Sequence, residues 1–203
     1  MEVYRIRENP DQTFTITYNG NTVKKGKRKL AFDHSLHIKK YGIAMPDIEL
    51  TLYETHHEVW NHFLLYGTDN YCLVMDEQVG LVYPLESIAQ EITEIDDKWD
   101  VFFPYDKLRE PAKAGRLSAP LSRLGFYWGY YFYLISRGGA KKMAELRTIF
   151  QPVDETMLTL SLRKRLSIMA APSRWLEMNE RLSKVFNARK ADMITAVKMY
   201  NVW

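Results

Sequence analysis

A continuous apolar segment constrains this chain more than any other feature of its sequence. The segment from Tyr71 to Met75 reads Tyr-Cys-Leu-Val-Met and contains no charged residue. Its length is too short for a buried helix and is typical of a strand with both faces covered. Such strands occur in α/β domains, in which helices pack on the two sides of the sheet. The sequence therefore predicts an α/β fold with a mainly parallel central sheet.

Other segments fit an alternation of strands and helices. Val3 to Ile6 and Phe14 to Tyr18 have strand patterns, and the second is followed by Asn19-Gly20, a hairpin turn signal. A helix is predicted from Thr51, which opens a capping-box pattern, to a stop at Gly67. Further strands are expected at 99–103, 126–136 and 166–170, a helix at 140–150, and loops at the basic run 24–29 and at 104–123.

Length and charge narrow the class of protein. A chain of 203 residues is expected to form one domain, here residues 1–172, followed by a helical tail at 173–203 that packs on it. The net charge of +3 comes from 28 basic and 25 acidic residues, a balance that does not indicate nucleic-acid binding. A nucleic-acid-binding domain that uses the basic runs together with Tyr130 to Tyr133 is a minor alternative. The scattered distribution of charge argues against it.

Cysteine usage and hydropathy predict a cytoplasmic location. Cys72 is the sole cysteine, so an intramolecular disulfide is excluded and a reducing compartment is expected. No stretch reaches the ~18 apolar residues of a spanning helix. The amphipathic tail Ser173 to Trp203 has an alternative role, since basic residues among its apolar ones could bind an anionic surface at the inner face of the membrane.

An acidic cluster follows the apolar strand. Asp76, Glu77 and Gln78 come directly after Met75, at the strand end where open α/β sheets carry ligand chemistry. Adjacent oxygen ligands suit a hard divalent cation such as Mg²⁺ or Mn²⁺, which could bridge the diphosphate of a sugar nucleotide. The alternative interpretation of these residues is an ordinary polar turn.

A second acidic pair lies in Pro152-Val-Asp154-Glu155. A carboxylate at such a proline-anchored turn could accept a proton from an acceptor hydroxyl. Asp154 could instead cap the helix that follows, and the two roles are compatible. Neither a glycine-rich phosphate loop nor a Gly-x-Ser-x-Gly elbow occurs, which excludes the P-loop and α/β-hydrolase classes.

The order of these motifs resembles glycosyltransferase family 25, the lipopolysaccharide-type sugar transferases. The resemblance covers about Glu49 to Pro172. Its motifs are Thr55-His-His-Glu-Val-Trp60, Tyr71-Cys-Leu-Val-Met-Asp-Glu-Gln-Val79, Trp99-Asp-Val-Phe-Phe103, Gly129-Tyr-Tyr-Phe-Tyr-Leu-Ile-Ser-Arg-Gly-Gly-Ala140 and Pro152-Val-Asp154.

The resemblance implies a GT-A-like domain that moves a hexose, typically galactose, in surface-polysaccharide or lipopolysaccharide assembly. The donor would be a nucleotide sugar such as UDP-galactose, and the acceptor a saccharide. By position, the residues implied are Asp76, Glu77 and Gln78 at a divalent metal (Mn²⁺ or Mg²⁺), Asp154 as the catalytic residue on the acceptor side, and Glu155, His56, Gly129 and Tyr131 in substrate binding.

The sequence departs from the family pattern in the donor half. Gln78 stands where the family carries a carboxylate, and a neutral amide is a weaker ligand for a divalent cation. Ile48 and Thr51 stand where the family has glycines that permit close backbone approach to a ligand. These changes leave a second hypothesis, a catalytically silent member that binds a glycan, a nucleotide or a partner protein.

Overall fold

The computed structural model describes residues 1–9, 11–27, 29–77, 79–81, 83–95, 98–103, 122–123, 132–170 and 176–177. The strands are β1 (Glu2–Glu8), β2 (Thr13–Tyr18), β3 (Asn21–Lys27), β4 (Tyr71–Asp76), β5 (Gly80–Leu81), β6 (Val101–Phe103), β7 (Ser122–Arg123), β8 (Phe132–Ser136), β9 (Ile168–Ala170) and β10 (Leu176–Glu177). The helices are α1 (His34–Tyr41), α2 (Asp47–Tyr66), α3 (Leu85–Thr93), α4 (Arg137–Ala144) and α5 (Val153–Leu162).

The predicted α/β class is confirmed, with a mixed sheet at its centre. Eight strands form one sheet in the order β3-β2-β1-β4-β8-β6-β9-β7, and β5 pairs with β10 separately. β4 lies inside the sheet, parallel to β1 on one side and antiparallel to β8 on the other. The apolar run that predicted a buried strand is therefore a central strand of the domain.

The prediction of a mainly parallel sheet is wrong. Only β1–β4 and β6–β9 are parallel among the described pairings, and the remaining neighbours are antiparallel. Tight connections force the difference at one end of the sheet, because strands joined by a short turn must run in opposite directions. Asn19 and Gly20, with φ of 46° and 86°, make the turn into β3, and that strand includes most of the basic run predicted as a loop.

Alternation along β4 divides the core between two layers. Cys72 and Val74 face the layer formed by α2, α4 and α5, whereas Leu73 and Met75 face α3. We refer to these sides as the α2 face and the α3 face. All four side chains are fully buried. Helices thus cover both sides of the strand, as its uninterrupted apolar sequence requires.

The helix α2 supplies most of the cover on the α2 face. Tyr53, Trp60 and Phe63 recur at helical spacing and are completely buried. The helix ends at Gly67 as predicted but begins at Asp47, four residues before Thr51, and Pro46 is its N-cap residue. The hydroxyl of Thr51 donates to the carbonyl of Asp47 at 2.9 Å, so Thr51 lies inside the helix rather than capping it.

The C-terminus of α2 is held by Arg137, the first residue of α4. Its guanidinium donates to the carbonyls of Phe63, Leu64, Gly67 and Asp69, at distances up to 3.5 Å. The last carbonyls of a helix have no partner within it, and a cation there also interacts favourably with the helix dipole. Arg137 therefore fixes α2 to the end of β8.

A second close contact joins α4 to β6. The Ser136 hydroxyl caps α4 by accepting from the amide of Gly139 at 3.0 Å, and the amide of Ser136 donates to the carbonyl of Asp100 at 2.9 Å. The buried carboxylate of Asp100 accepts from Lys142 and from the amide of Ser167. Gly139 lies so near the Asp100 backbone that no side chain fits between them. The helix predicted at 140–150 accordingly starts earlier, and it ends at Ala144.

The described part of the tail is the short strand β10, where a helix was predicted. Leu176 and Glu177 pair antiparallel with Leu81 and Gly80, and this edge pairing supplies backbone partners that favour the extended form. The rest of 173–203 lies outside the described residues. Within the described ranges, no helix has the length and apolar character required to span a bilayer.

The contact between α4 and β6 predicts a contrast between adjacent glycines. A Cβ on Gly139 would lie 2.3 Å from the Asp100 carbonyl oxygen, whereas one on Gly138 meets nothing closer than 3.8 Å. Gly139→Ala should therefore destabilise the protein by roughly 2 kcal/mol or more. Gly138→Ala should be neutral or stabilising by up to ~1 kcal/mol, because alanine favours the helix. Urea unfolding of both variants measures the difference, and equal free energies of unfolding would contradict this packing.

Candidate functional site

The strand-end acidic residues lie at the edge of the sheet where several strands finish. β1 and β4 are parallel, β8 opposes both β4 and β6, and β9 is parallel to β6. The carboxyl ends of β1, β4, β6 and β9 therefore share one edge. Asp76 is the last residue of β4, and Glu77 follows it. This edge is the expected location of ligand chemistry in an α/β sheet.

Asp76 belongs to the α2 face of this edge. It pairs with Ile6 of β1 and has the same strand parity as Cys72 and Val74, which face α2. Only 9% of Asp76 is exposed. Carboxylate oxygens are ligands that hard divalent cations prefer, and the strand end is where ligand chemistry is expected. The Asp76 carboxylate is therefore chemically suited to hold a cation.

Glu77 points away from Asp76, towards arginines of β1. Its amide donates to the Ile6 carbonyl at 2.9 Å, and its carboxylate lies 3.4 Å from Nε of Arg7. Arg5 is on the same α3 face and donates to the Val79 carbonyl at 3.3 Å. Both ends of the Arg7–Glu77 pair are well exposed, so the pair adds little stability. Its significance is positional, because it places positive charge beside the strand-end acids.

Asp154 lies in the first turn of α5, on the same face of the sheet as Asp76. Val153 and Met157 of this helix pack in the α2-face core. Residues 163–167 connect α5 to the start of β9, so the C-terminal end of the helix is near the sheet edge opposite to Asp76. Asp154 is at the N-terminal end of the helix. Sharing a face is a necessary condition for the predicted cleft with Asp76. That the two carboxylates meet in one cleft stays a prediction.

The capping alternative for Asp154 is not the arrangement found. Pro152 is the residue preceding α5 and makes no side-chain cap, while Asp154 Oδ1 accepts from the amide of Glu155 at 2.8 Å. A carboxylate among the free amides of a helix N-terminus is favoured in its charged form. Asp154 is only partly buried, so a proton-accepting role is compatible with its position.

Glu155 joins α5 to α1. Its carboxylate accepts from the Tyr41 hydroxyl and from Nε2 of Gln151, and Nζ of Lys40 is 3.6 Å away. Burial, reinforced by the charge of Glu155, raises the pKa of Tyr41. The phenol therefore stays protonated and remains a donor to the carboxylate. Glu155 has a structural role in this cluster, and its role in substrate binding stays a prediction.

His56 lies in the core of the α2 face and is completely buried. Its Nδ1 is 2.8 Å from the Tyr133 hydroxyl, which also accepts from Nε1 of Trp60 at 3.0 Å. Since the hydroxyl oxygen accepts from the indole, its own hydrogen can donate to Nδ1, and the histidine hydrogen is then on Nε2. Burial lowers the pKa of His56 to about 3, so the ring is neutral. Contact with a substrate stays a prediction and would require this core to open.

Three predicted site residues cannot be placed. Gln78, Gly129 and Tyr131 lie outside the described residues. Among the described ones, no group of three or more His, Cys, Asp or Glu side chains converges as a metal site would require. Asp76 and Glu77 diverge across the sheet, so Asp76 is the better candidate ligand of the two. The metal itself stays a prediction.

Arg5 and Arg7 are the residues that sequence reasoning missed. They alternate with the core residues Tyr4 and Ile6, a pattern that identifies the outer face of a strand. Alternation in β1, together with its pairing to β4, could have placed both arginines beside Glu77.

Comparisons with known proteins give a structural neighbour and no family. No protein-family model matches the chain, and no curated protein matches it. A similar solved structure is "Crystal Structure of A197 from STIV", with 16% sequence identity and a TM-score of 0.39 over 62% of this chain. The chain spans 65% of the length of that protein. Support for a function therefore comes from the residues of the site.

The buried histidine predicts how stability depends on pH. The pKa of His56 falls from an ordinary value of 6.5 to about 3 on folding, so the unfolded state binds a proton that the folded state does not. Stability from the neutral ring is present above pH ~6.5 and is lost as the pH falls, by up to about 1.4 kcal/mol per unit. His56→Gln should reduce this slope, measured by urea unfolding between mildly acidic and neutral pH.

The matched control is His34→Gln, which replaces an exposed histidine of α1. This variant should keep the native slope, because the substitution leaves the buried His56 ring in place. An unchanged slope in His56→Gln would show that His56 is not the group responsible.

Proposed function

We propose that this protein is a GT-A-like glycosyltransferase that moves a hexose from a nucleotide-sugar donor to a saccharide acceptor. The observation that supports this most is the position of Asp76, a buried carboxylate at the carboxyl end of a central strand, on the face shared with Asp154. The motif order that resembles glycosyltransferase family 25 gives those two residues the metal and acceptor roles. UDP-galactose is the donor that the resemblance favours.

The donor half of the proposed site combines a buried acid with exposed arginines. Asp76 would hold the divalent cation, with Gln78 as the further oxygen donor that the resemblance implies. When bound, that cation would stabilise negative charge on the departing nucleoside diphosphate. Arg7 of β1 lies next to Glu77, and Arg5 of the same strand donates to the Val79 carbonyl. A guanidinium binds phosphate through paired hydrogen bonds, so these side chains are suited to the donor diphosphate.

The acceptor half depends on Asp154. A proton acceptor must be ionised and within reach of the hydroxyl that it deprotonates. The N-terminal turn of α5 favours the ionised form, and the side chain retains contact with solvent. In the proposed reaction Asp154 takes the proton from the acceptor hydroxyl, whose oxygen then forms the new bond to the sugar while the bond to the diphosphate breaks.

The ion pair between Arg7 and Glu77 favours a second candidate, a silent family member that binds the nucleotide sugar without turning it over. The guanidinium already neutralises one acid of the motif, and Gln78 replaces another. Binding could then use arginines in place of a metal. Hydrolysis of the donor separates the two candidates, since a competent transferase transfers some sugar to water and a silent protein does not.

The proposed function predicts opposite effects of two substitutions in the acidic motif. Asp76→Asn should abolish Mn²⁺-dependent binding of UDP-galactose, because it removes the buried charge. Gln78→Asp should strengthen that binding by about tenfold, since a carboxylate replaces a neutral ligand. Glu86→Gln, at an exposed position of α3, is the matched control. Calorimetry with and without Mn²⁺ measures binding, and release of free galactose measures hydrolysis.

Two results would count against this assignment. Tight Mn²⁺-dependent binding by the native protein, unchanged in Gln78→Asp, would mean that the ligands come from elsewhere, with Asp154 and Glu155 as the next candidates. Metal-independent binding without hydrolysis in every variant would favour the silent protein.

A further inference from the structure

A groove along α5 is lined by three arginines. It lies along α5 and the segment that precedes this helix, has a volume of about 410 Å³, and consists entirely of described residues. Arg147, Arg163 and Arg165 line it and are all exposed. Small-molecule sites typically start at about 300 Å³, so the groove has room for a ligand of one or two rings.

The three guanidinium groups have no acidic partner in the described structure. No carboxylate among the described residues forms an ion pair with any of them. The single acid lining the groove is Glu145, which lies 3.9 Å from Nζ of Lys141. Arginine is charged at any physiological pH, so these like charges repel until an anion binds among them.

Local backbone geometry brings two of these arginines to the same groove. Lys164, between Arg163 and Arg165, has a φ of 57°, in the left-handed region that a lysine seldom occupies. The amide of Arg165 then donates to the Leu160 carbonyl at 2.8 Å, which folds the chain back against the end of α5. The side chains on either side of Lys164 consequently line one cavity.

The remaining lining determines what else the ligand carries. Thr148 contributes a hydroxyl, whereas Phe150 and Leu146 contribute apolar surface. Hydroxyls and an aromatic ring beside a cationic end suit a sugar ring that bears a phosphate. Guanidinium groups recognise phosphate through paired, charge-assisted hydrogen bonds. A neutral sugar has no anionic group and cannot form them.

We propose that the groove of Arg147, Arg163 and Arg165 binds a sugar phosphate. The site is formed by the flank of α5 and not by the strand-end acids, so it does not depend on the proposed transferase activity. Its ligand is defined by chemistry, namely a phosphate monoester joined to a hydroxylated ring.

Calorimetry on the full chain with glucose 6-phosphate tests the proposal. The native protein should bind it, and binding should weaken by about tenfold or more in Arg163→Ala/Arg165→Ala, which removes two charged donors. Added salt should also weaken binding, because the attraction is electrostatic. The control Lys39→Ala/Lys98→Ala removes the same charge from exposed positions outside the groove and should bind as the native protein does.

Further probes test each part of the assignment. Arg163→Lys/Arg165→Lys keeps the positive charges but loses the planar guanidinium groups, so this variant should bind with intermediate affinity. The substitution of exposed side chains should leave the fold unchanged. Glucose should not bind, and inorganic phosphate should bind more weakly than glucose 6-phosphate. Absence of binding by glucose 6-phosphate, an equal loss in the lysine control, or equal affinity for inorganic phosphate would overturn the proposal.

Discussion

Burial of β4 from both sides is the constraint on which the rest of the structure depends. Cys72, Leu73, Val74 and Met75 have no exposed surface, and full burial of a leucine, valine or methionine side chain contributes roughly 1.5–3 kcal/mol. That gain exists only if helices cover both faces, which α2 and α3 do. A shift of β4 by one residue would exchange its two faces, so the packing also fixes its register against β1 and β8.

The fixed register determines where the acidic residues point. Since side chains alternate, the end of β4 directs Asp76 to the α2 face, and Glu77 turns to Arg7 on the other side. An acidic pair that is adjacent in sequence is therefore divided in space. On the proposed function, Asp76 would hold the metal on the side of Asp154, while the arginines of β1 would meet the diphosphate from the opposite side of the sheet edge.

The sequence predicted features that depend on local patterns and missed those that depend on distant contacts. The strand at Tyr71 and the helix stop at Gly67 were predicted because apolar periodicity and glycine act locally. The strand directions were not predicted. No single strand's sequence shows that β8 lies between β4 and β6 and runs antiparallel to both. The burial of His56 was also missed, because its partner Tyr133 is distant in sequence. The position of Asp76 at a strand end was predicted, whereas its separation from Glu77 required the pairing with β1.

The central claim is that the carboxyl edge of β4 binds a nucleoside diphosphate through a metal held by Asp76. A crystal grown with UDP and Mn²⁺ tests it directly, because anomalous scattering locates manganese without reference to activity. The account predicts a manganese peak in coordination contact with the Asp76 carboxylate and with the diphosphate. A diphosphate bound away from this edge, or bound there with manganese on other residues, would contradict it.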